Sequence, residues 1–157
     1  MVDIDGVLNS HSSRVAANNT RQGDYGTHRA WKPECVAQLK RVIEATGCQI
    51  VISSDWRRPE NIKALEEAFE AFQLPKWIGV TPLFKDTYLP KTRGREIEQW
   101  LFHNSLGGME IESYAIVDDN PWMLESQATH FVQTDDEIGL TESDASDLIF
   151  VLNGARS

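Results

Sequence analysis

Two kinds of apolar pattern alternate along the chain. One is a short, nearly continuous apolar run, typical of a strand buried on both faces of a sheet. It occurs at 49–54, 77–80, 113–119 and 129–133. The other repeats apolar residues at helical spacing. It occurs at 33–47, 59–72, 93–108 and 141–152. This alternation predicts an α/β fold: a Rossmann-like three-layer sandwich with a mainly parallel central sheet.

The stretch 9–30 is polar and follows neither pattern. A loop of that length is usually functional or disordered, so we predict a flap or a mobile solvent loop, the latter being the commoner case. If it is a flap, its basic and imidazole side chains are candidates for substrate contact. These are His11, Arg14, Arg21, His28 and Arg29. There are no repeats or linkers, and the whole chain, 1–157, is predicted to be one domain.

Polar residues cluster where the predicted strands end. The chain begins with a short predicted strand at 2–4, which carries Asp3 and is followed by Asp5. Gly6 then lets the chain turn. The run at 49–54 ends in two serines, and the run at 113–119 ends in two aspartates. Ligand sites of parallel sheets lie beyond the carboxyl ends of the strands. These three polar strand ends therefore predict one shared site.

Composition limits the function classes. The chain has 157 residues, 41% of them hydrophobic, and no run long enough to cross a bilayer, so we expect a cytoplasmic protein without a membrane partner. The net charge of −9 argues against a general nucleic-acid binder. From Glu110 onward there are eleven acidic residues and a single base, Arg156, whereas bases outnumber acids between Asn9 and Lys32. An acidic body with one basic segment fits an anionic substrate that is handled locally.

The residues at the strand ends suggest a chemistry. Four carboxylates with no soft ligands suit a hard cation, preferably Mg²⁺. Beside such a cation, one aspartate can attack phosphorus and a second can move the proton. A hydroxyl and a basic side chain would hold the remaining phosphoryl oxygens.

In this arrangement the residues resemble the haloacid dehalogenase-like (HAD) phosphatases. The family's first motif matches residues 3–7 (Asp-Ile-Asp-Gly-Val). The resemblance implies Asp3 as the nucleophile and Asp5 as the general acid/base, with the backbone carbonyl of Asp5 on the metal. The fourth motif matches Asp118 and Asp119, of which Asp119 is favoured as the direct ligand. The implied cofactor is Mg²⁺, and the implied metal site is Asp3, Asp5, Asp118 and Asp119.

The second and third motifs each leave two choices. The second is a hydroxyl residue that ends a strand; Ser53 is favoured, with Ser54 as the alternative. The third is a basic residue near a helix start; Arg93 is favoured, with Lys91 as the alternative. Ser54, Lys91 and Gly6 are then expected to contact the substrate. The four motifs occur in the family's order across residues 3 to 119.

A finer resemblance connects the chain with a small HAD group associated with RNA-repair proteins. It covers the segments Asp-Ile-Asp-Gly-Val-Leu-Asn, Ile-Ser-Ser-Asp-Trp-Arg and Arg-Gly-x-Glu-Ile. It implies that Arg57 clamps the phosphate in a bidentate manner. The alternative is that Arg57 is a solvent-exposed helix-end residue. No insertion is long enough for a large cap domain, so the implied site is open, and a partner protein or domain is expected to close it.

The resemblance implies a phosphatase whose substrate is a small phosphate ester, a nucleotide or a nucleic-acid end. The alternatives are a phospho-receiver signalling domain, whose order of motifs differs, and a catalytically silent HAD-like binding module. Only Met1 and Val2 precede Asp3, so a truncated or misassigned start is a further expectation. We predict core positions for Trp31, Trp77, Trp100 and Trp122.

Overall fold

The structure, a computed structural model, describes residues 1–20, 28–84 and 92–154. Arg21 and Lys91 lie outside these residues. The helices are α1 (His11–Thr20), α2 (Pro33–Thr46), α3 (Ile62–Ala71), α4 (Thr92–Leu106) and α5 (Glu142–Gly154). The strands are β1 (Val51–Ile52), β2 (Gly79–Val80), β3 (Ile116–Asp118) and β4 (Phe131–Gln133). Three short 3₁₀ turns lie at His28–Ala30, Asp55–Arg57 and Glu125–His130.

The strands form a parallel arrangement centred on the first residues of the chain. β1 pairs in parallel with β2, and β3 pairs in parallel with β4. Val2 joins the two pairs because it forms parallel bridges to both Ile52 and Val117. The spatial order is therefore β2, β1, the Val2 segment, β3 and β4. All the carboxyl ends lie at one edge, which confirms the α/β class.

Backbone hydrogen bonds hold the Val2 segment on both sides. The Val2 N–H donates to the carbonyl of Val51 at 2.8 Å, and the Val2 carbonyl accepts from the Ser53 N–H at 3.0 Å. On the other side, the Asp3 N–H donates to the carbonyl of Val117 at 3.0 Å. Ile4 is fully buried in the main core cluster. Backbone hydrogen bonds on both sides therefore hold Asp3 in the centre of the sheet.

The predicted helices and strands are present, with shifted boundaries. α2 begins at Pro33 as predicted, and the N–H of Gly47 closes it by donating to the carbonyl of Ile43 at 2.8 Å. α5 follows Thr141, whose hydroxyl accepts from the Asp144 N–H at 3.2 Å. α3 begins at Ile62 instead of Pro59, after a turn. α2 and α5 pack against each other.

The 9–30 stretch, predicted to be a flap or a mobile solvent loop, is helical in its first part, which forms α1. This helix has no apolar stripe that a pattern could detect. Its start is stabilised by a reciprocal pair: the Ser13 N–H donates to the Ser10 hydroxyl at 3.3 Å, and the Ser10 N–H donates to the Ser13 hydroxyl at 2.9 Å. Local capping and tertiary contacts, and not amphipathic periodicity, define α1.

The tryptophans divide between the core and the surface. Trp31 and Trp100 are buried as predicted, and Trp77 is half-buried against Phe69. The prediction of a core position is wrong for Trp122, which is 49% exposed. Trp122 lies in the loop after β3, where the chain leaves the sheet at its carboxyl edge. None of the helices among the described residues has the length and apolar character needed to cross a membrane.

Candidate active site

Three predicted site carboxylates converge at the carboxyl edge of the sheet. Each of Asp3, Asp118 and Asp119 offers one oxygen, and these oxygens all lie within 4.8 Å of one another. The sheet register explains the meeting, because Val2 pairs with Val117 and the following residues on both strands are then neighbours. Asp3 and Asp118 are both buried. The sequence prediction that the first and fourth motifs share a site is consistent with this geometry.

Burial and mutual repulsion both disfavour the ionised forms of the three carboxyl groups. Burial, followed by mutual repulsion with Asp3, raises the pKa of Asp118 well above the usual carboxyl range. The same two causes raise the pKa of Asp119 to about 6. Burial also raises the pKa of Asp3, although Arg93 and a hydrogen bond from Ser54 oppose the shift. A site that disfavours its own ionised carboxylates is one that a cation would stabilise.

The donor set fits a hard divalent cation. Its ligand atoms are all carboxylate oxygens, which suit Mg²⁺. Oδ2 of Asp118 is buried and has no hydrogen-bond partner among the described residues. Its other oxygen accepts from the Asn120 N–H at 2.9 Å. Arg93 lies near this oxygen, with its Nε at 3.4 Å, but a buried carboxylate oxygen that accepts no hydrogen bond is still stabilised by an ion or water. Asp118, Asp119 and Asp3 are therefore the residues that would hold the ion.

Gly6 provides space for one of these carboxylates. Its φ is +76°, a conformation that glycine adopts without strain. A Cβ added at Gly6 would lie 2.6 Å from Cγ of Asp119. The Gly6 carbonyl accepts from the Thr134 hydroxyl at 2.7 Å, which fixes the turn. The structure gives Gly6 this packing role; its contact with substrate stays a prediction.

Asp5 lies apart from the carboxylate cluster and is held by two donors. Its Oδ1 accepts from Nδ2 of Asn9 at 2.7 Å, and its Oδ2 accepts from the indole Nε1 of Trp56 at 3.2 Å. The side chain of Asp5 is thus oriented separately from Asp3, as different roles for the two residues require. Sequence reasoning missed both donors. The signal for Asn9 was its position four residues after Asp5, in Asp-Ile-Asp-Gly-Val-Leu-Asn.

Both serines of the second motif are buried, directly after β1 and beside the Val2 segment. Ser54 hydrogen-bonds the Asp3 carboxylate and lowers its pKa, and its hydroxyl also accepts from the Trp56 N–H at 3.3 Å. The hydroxyl of Ser53 is buried and has no hydrogen-bond partner among the described residues. Ser54 is therefore engaged with the nucleophile candidate, while Ser53 retains a free hydroxyl. The choice between them stays open.

Arg93 reaches the carboxylate cluster from the start of α4. Its Nε lies 3.4 Å from Oδ2 of Asp118, and the charges of Asp3 and Asp118 outweigh burial to raise its pKa. The next residue, Gly94, allows the helix to start against the loop after β3: its N–H donates to the Trp122 carbonyl at 3.1 Å, and a Cβ there would lie 2.6 Å from the Leu124 nitrogen. Lys91, the alternative cation, lies outside the described residues.

The geometry around Arg57 argues against the expected phosphate clamp. Its side chain is 1% exposed, and all five N–H groups donate to protein oxygens. The acceptors are the carbonyls of Ser53, Ser54, Thr81 and Pro82 and the carboxylate of Glu96, at 2.6–3.1 Å. A phosphate would have to displace one of these acceptors. The solvent-exposed alternative is wrong, because Arg57 is buried and connects several segments of the fold.

Glu96 links the two arginines, a role that sequence reasoning missed. Its Oε2 accepts from Arg57 Nη2 at 2.7 Å and lies 3.8 Å from Arg93 Nη1, and its Oε1 accepts from the Phe84 N–H at 2.9 Å. Glu96 is buried, and buried carboxylates are normally paired. The signal was its position three residues after Arg93, which places both side chains on one face of α4.

Of the five side chains singled out in the 9–30 stretch, Arg14 makes the clearest connection to the site. It donates to Oδ1 of Asn9 at 2.8 Å and to Oδ1 of Asp136 at 2.7 Å. His28 lies edge-on to Phe72, with ring centroids 6.5 Å apart. His11 lies near Asp136 and Glu137. Arg21 is outside the described residues.

This geometry is consistent with the HAD resemblance found in the sequence. A scan against protein-family profiles matches residues 1–145 to the HAD domain in Swiss Army Knife RNA repair proteins. The chain belongs to this family, which confirms the resemblance found in the sequence. Searches of curated proteins and of solved structures found no significant match.

Proposed function

We propose that the chain is a Mg²⁺-dependent phosphomonoesterase that acts through an aspartyl-phosphate on Asp3. The observation that carries this proposal is the convergence of one oxygen each from Asp3, Asp118 and Asp119 within 4.8 Å, with Arg93 beside them. Membership of a HAD family supports the hydrolase class, since such domains share this arrangement of carboxylates. In the proposed enzyme the sheet is the middle layer of a three-layer sandwich.

The proposed reaction has two steps. In the first, a carboxylate oxygen of Asp3 attacks phosphorus, the bond from phosphorus to the ester oxygen breaks, and that oxygen takes the proton of the Asp5 carboxyl. In the second, Asp5, now a carboxylate, removes a proton from water, whose oxygen attacks phosphorus. The bond from phosphorus to the Asp3 oxygen breaks, inorganic phosphate leaves, and both carboxyl groups return to their starting states.

Other groups around the site would stabilise the charge that moves during these steps. A bound Mg²⁺ would neutralise negative charge on the phosphoryl oxygens and orient the phosphate. Arg93 supplies a fixed positive charge next to Asp3 and Asp118. The Ser53 hydroxyl, which has no partner among the described residues, is available to donate to a phosphoryl oxygen.

For the substrate class we propose the terminal phosphate of a nucleic-acid strand. The family is described from RNA-repair proteins. Among the described residues, the segments between the motifs form α1 and α2, then α3 and β2, with short turns and no separate cap domain. An open site can admit a chain end. Trp122 is half-exposed and follows the fourth motif by three residues. Its carbonyl accepts from the N–H of Gly94, the neighbour of Arg93, so its indole is a candidate stacking surface near the site.

The first experiment tests catalysis. We expect purified protein with Mg²⁺ to hydrolyse p-nitrophenyl phosphate, and Asp3→Asn to reduce the rate to background. Asp147→Asn makes the same change at an exposed position on α5 and should keep wild-type activity. Wild-type inactivity with Mg²⁺ and other divalent ions, in a folded protein, would overturn the enzyme proposal and favour a catalytically silent binding module.

The second experiment tests the substrate class. Phosphate release is compared for 3′-phosphorylated oligonucleotides, 5′-phosphorylated oligonucleotides and mononucleotides, in both RNA and DNA forms. We expect a higher kcat/KM for one class of oligonucleotide end than for the matching mononucleotide. Equal values would remove the nucleic-acid proposal and leave a general phosphatase. Salt concentration must be fixed throughout, because phosphate-backbone contacts depend on it strongly.

A further inference from the structure

The orientation of the Asn9 amide is determined by its neighbours. Two N–H groups point at one of its atoms: the Gly6 backbone at 3.0 Å and Nη1 of Arg14 at 2.8 Å. Because both are donors, that atom is the carbonyl oxygen. The amide nitrogen is then the atom that faces Asp5, and it donates to Oδ1 at 2.7 Å. A flipped amide would place donors against donors and an oxygen against a carboxylate.

The surroundings of Asn9 are rigid. The residue is fully buried, and its backbone bridges Trp31 in an antiparallel pair. Gly139 packs so closely that a Cβ there would lie 3.1 Å from the Asn9 carbonyl. Arg14 is itself held by Asp136, at 2.7 Å. The chain of contacts from Asp136 through Arg14 and Asn9 thus ends on Asp5, and both ends of the amide have hydrogen-bond partners.

We propose that Asn9 is the positioning residue for Asp5, and that Arg14 selects the amide orientation which makes this possible. The inference rests on the proposed function, in which Asp5 gives a proton to the leaving oxygen and later takes one from water. Asn9 transfers no proton. Its amide on one oxygen, with the Trp56 indole on the other, fixes the plane of the carboxyl group. Proton transfer depends on such placement.

This role has a specific kinetic signature. Expulsion of a good leaving group such as p-nitrophenolate needs little help from an acid, whereas expulsion of phenolate needs a proton. The value of kcat/KM covers the steps up to departure of the leaving group. A misplaced Asp5 should therefore lower kcat/KM for phenyl phosphate more than for p-nitrophenyl phosphate. A merely structural role of Asn9 would lower both values by the same factor.

The principal test is Asn9→Asp. The substitution keeps the shape and the acceptor that faces Gly6 and Arg14, but it places an oxygen 2.7 Å from Oδ1 of Asp5 in place of the donor. We expect kcat/KM to fall about 100-fold for phenyl phosphate and about tenfold or less for p-nitrophenyl phosphate. Asn104→Asp is the matched control, at the far end of α4, where Asn104 caps the Trp100 carbonyl. It should leave both values unchanged.

Arg14 provides a second test if Asn9→Asp fails to fold. Arg14→Met leaves Asn9 and Asp5 intact but removes the donor that orients the amide. We expect the ratio of the two kcat/KM values to shift in the same direction, about threefold, and Arg14→Lys to restore part of it. Equal losses on both substrates in an active enzyme would overturn the positioning role alone. A folded wild type that is inactive on both would overturn this inference together with the proposed function.

Discussion

Two arginines, the buried Arg57 and the half-buried Arg93, both approach Oε2 of Glu96 and differ in how their donors are used. Arg57 donates all five N–H groups to protein acceptors at 2.6–3.1 Å. Arg93 lies 3.4 Å from Asp118 and 3.8 Å from Glu96, and its Nη1 is buried with no hydrogen-bond partner among the described residues. The fold supplies an acceptor for every N–H group of Arg57, whereas Nη1 of Arg93 remains available to a group bound in the site.

The difference shows how the same residue type serves the fold in one place and the site in another. Arg57 joins the ends of β1 and β2 to α4, three segments that must meet for the carboxyl edge to form. Its pKa is lowered to about 10, first by burial and then by the charge of Arg93. It remains charged at neutral pH, where Glu96 compensates it. Arg93 is balanced mainly by the site carboxylates, so its contribution depends on what the site binds.

The largest expected effect is on stability, from Arg57→Met. The variant leaves four carbonyls and the buried Glu96 without their donor, and breaking a buried pair costs about 3–5 kcal/mol in free energy of unfolding. Arg58→Met is the matched control at a neighbouring, partly exposed arginine, whose contact with Asp55 is 3.5 Å. Urea unfolding followed by circular dichroism measures both. A loss below about 1 kcal/mol for Arg57→Met would contradict the connector role.

The second effect is on catalysis, from Arg93→Met. If Arg93 stabilises the phosphoryl transition state, its removal should lower kcat/KM for p-nitrophenyl phosphate by about 10²–10³-fold. Arg93→Lys keeps the charge and should recover much of that loss. The free energy of unfolding with Mg²⁺ present should fall less than in Arg57→Met. If the two methionine variants lost equal stability and Arg93→Met kept its activity, the distinction between the two arginines would fail.

Most of the secondary structure could be predicted from repeating patterns, whereas the hydrogen-bond partners of single side chains could not. The helical spacing after Pro33 and the apolar run before Asp118 report local burial, which alternates with a fixed period. α1 has no such period, and what marks its start is the hydrogen-bonded pair of Ser10 and Ser13. Its existence could not be derived from hydrophobicity.

The candidate site was partly predictable for a related reason. Asp3 and Asp118 could be placed together, since parallel strands bring their carboxyl ends to one edge. The role of Arg57 could not be predicted, because four of its five acceptors are backbone carbonyls, which every residue carries, and these come from two separate segments. The exposure of Trp122 likewise depends on the path of a loop. Tertiary contacts of this kind leave no periodic trace in a sequence.

A third, intermediate effect should come from Glu96→Gln, which disturbs both arginines together. One carboxylate oxygen becomes an NH2 group, so the charge on Arg57 loses its partner. The NH2 group also faces a donor, either the Phe84 N–H or Nη2 of Arg57, and that hydrogen bond is lost. We expect a loss of about 1–3 kcal/mol in stability, with a decrease in kcat/KM because Arg93 also shifts. Glu98→Gln, one residue beyond Ile97 on the exposed side of α4, is the control. A change in stability alone would show that Glu96 serves Arg57 only.

The smallest effect is the pH dependence of the metal-free Tm, which should differ between variants of the two arginines. Without metal, the raised pKa values of Asp118 and Asp119 mean that the folded state binds more protons than the unfolded one. Their stabilising contribution is therefore complete below the usual carboxyl range and is lost as pH rises through about 6 and beyond. In EDTA, Tm should fall by about 2–4 °C between pH 5 and pH 8. Mg²⁺ should restore more stability at pH 8 than at pH 5.

Arginine variants sharpen this last measurement. Arg93 opposes the repulsion within the carboxylate cluster, so Arg93→Met should steepen the fall of Tm with pH in EDTA. Asp119→Asn removes one of the titrating groups and should flatten it. Arg57→Met should lower Tm by a similar amount at both pH values, because its acceptors are mostly uncharged carbonyls. A metal-free Tm that rises from pH 5 to pH 8 in the wild type would contradict the electrostatic account of the cluster and, with it, the reason for assigning Arg93 to the site.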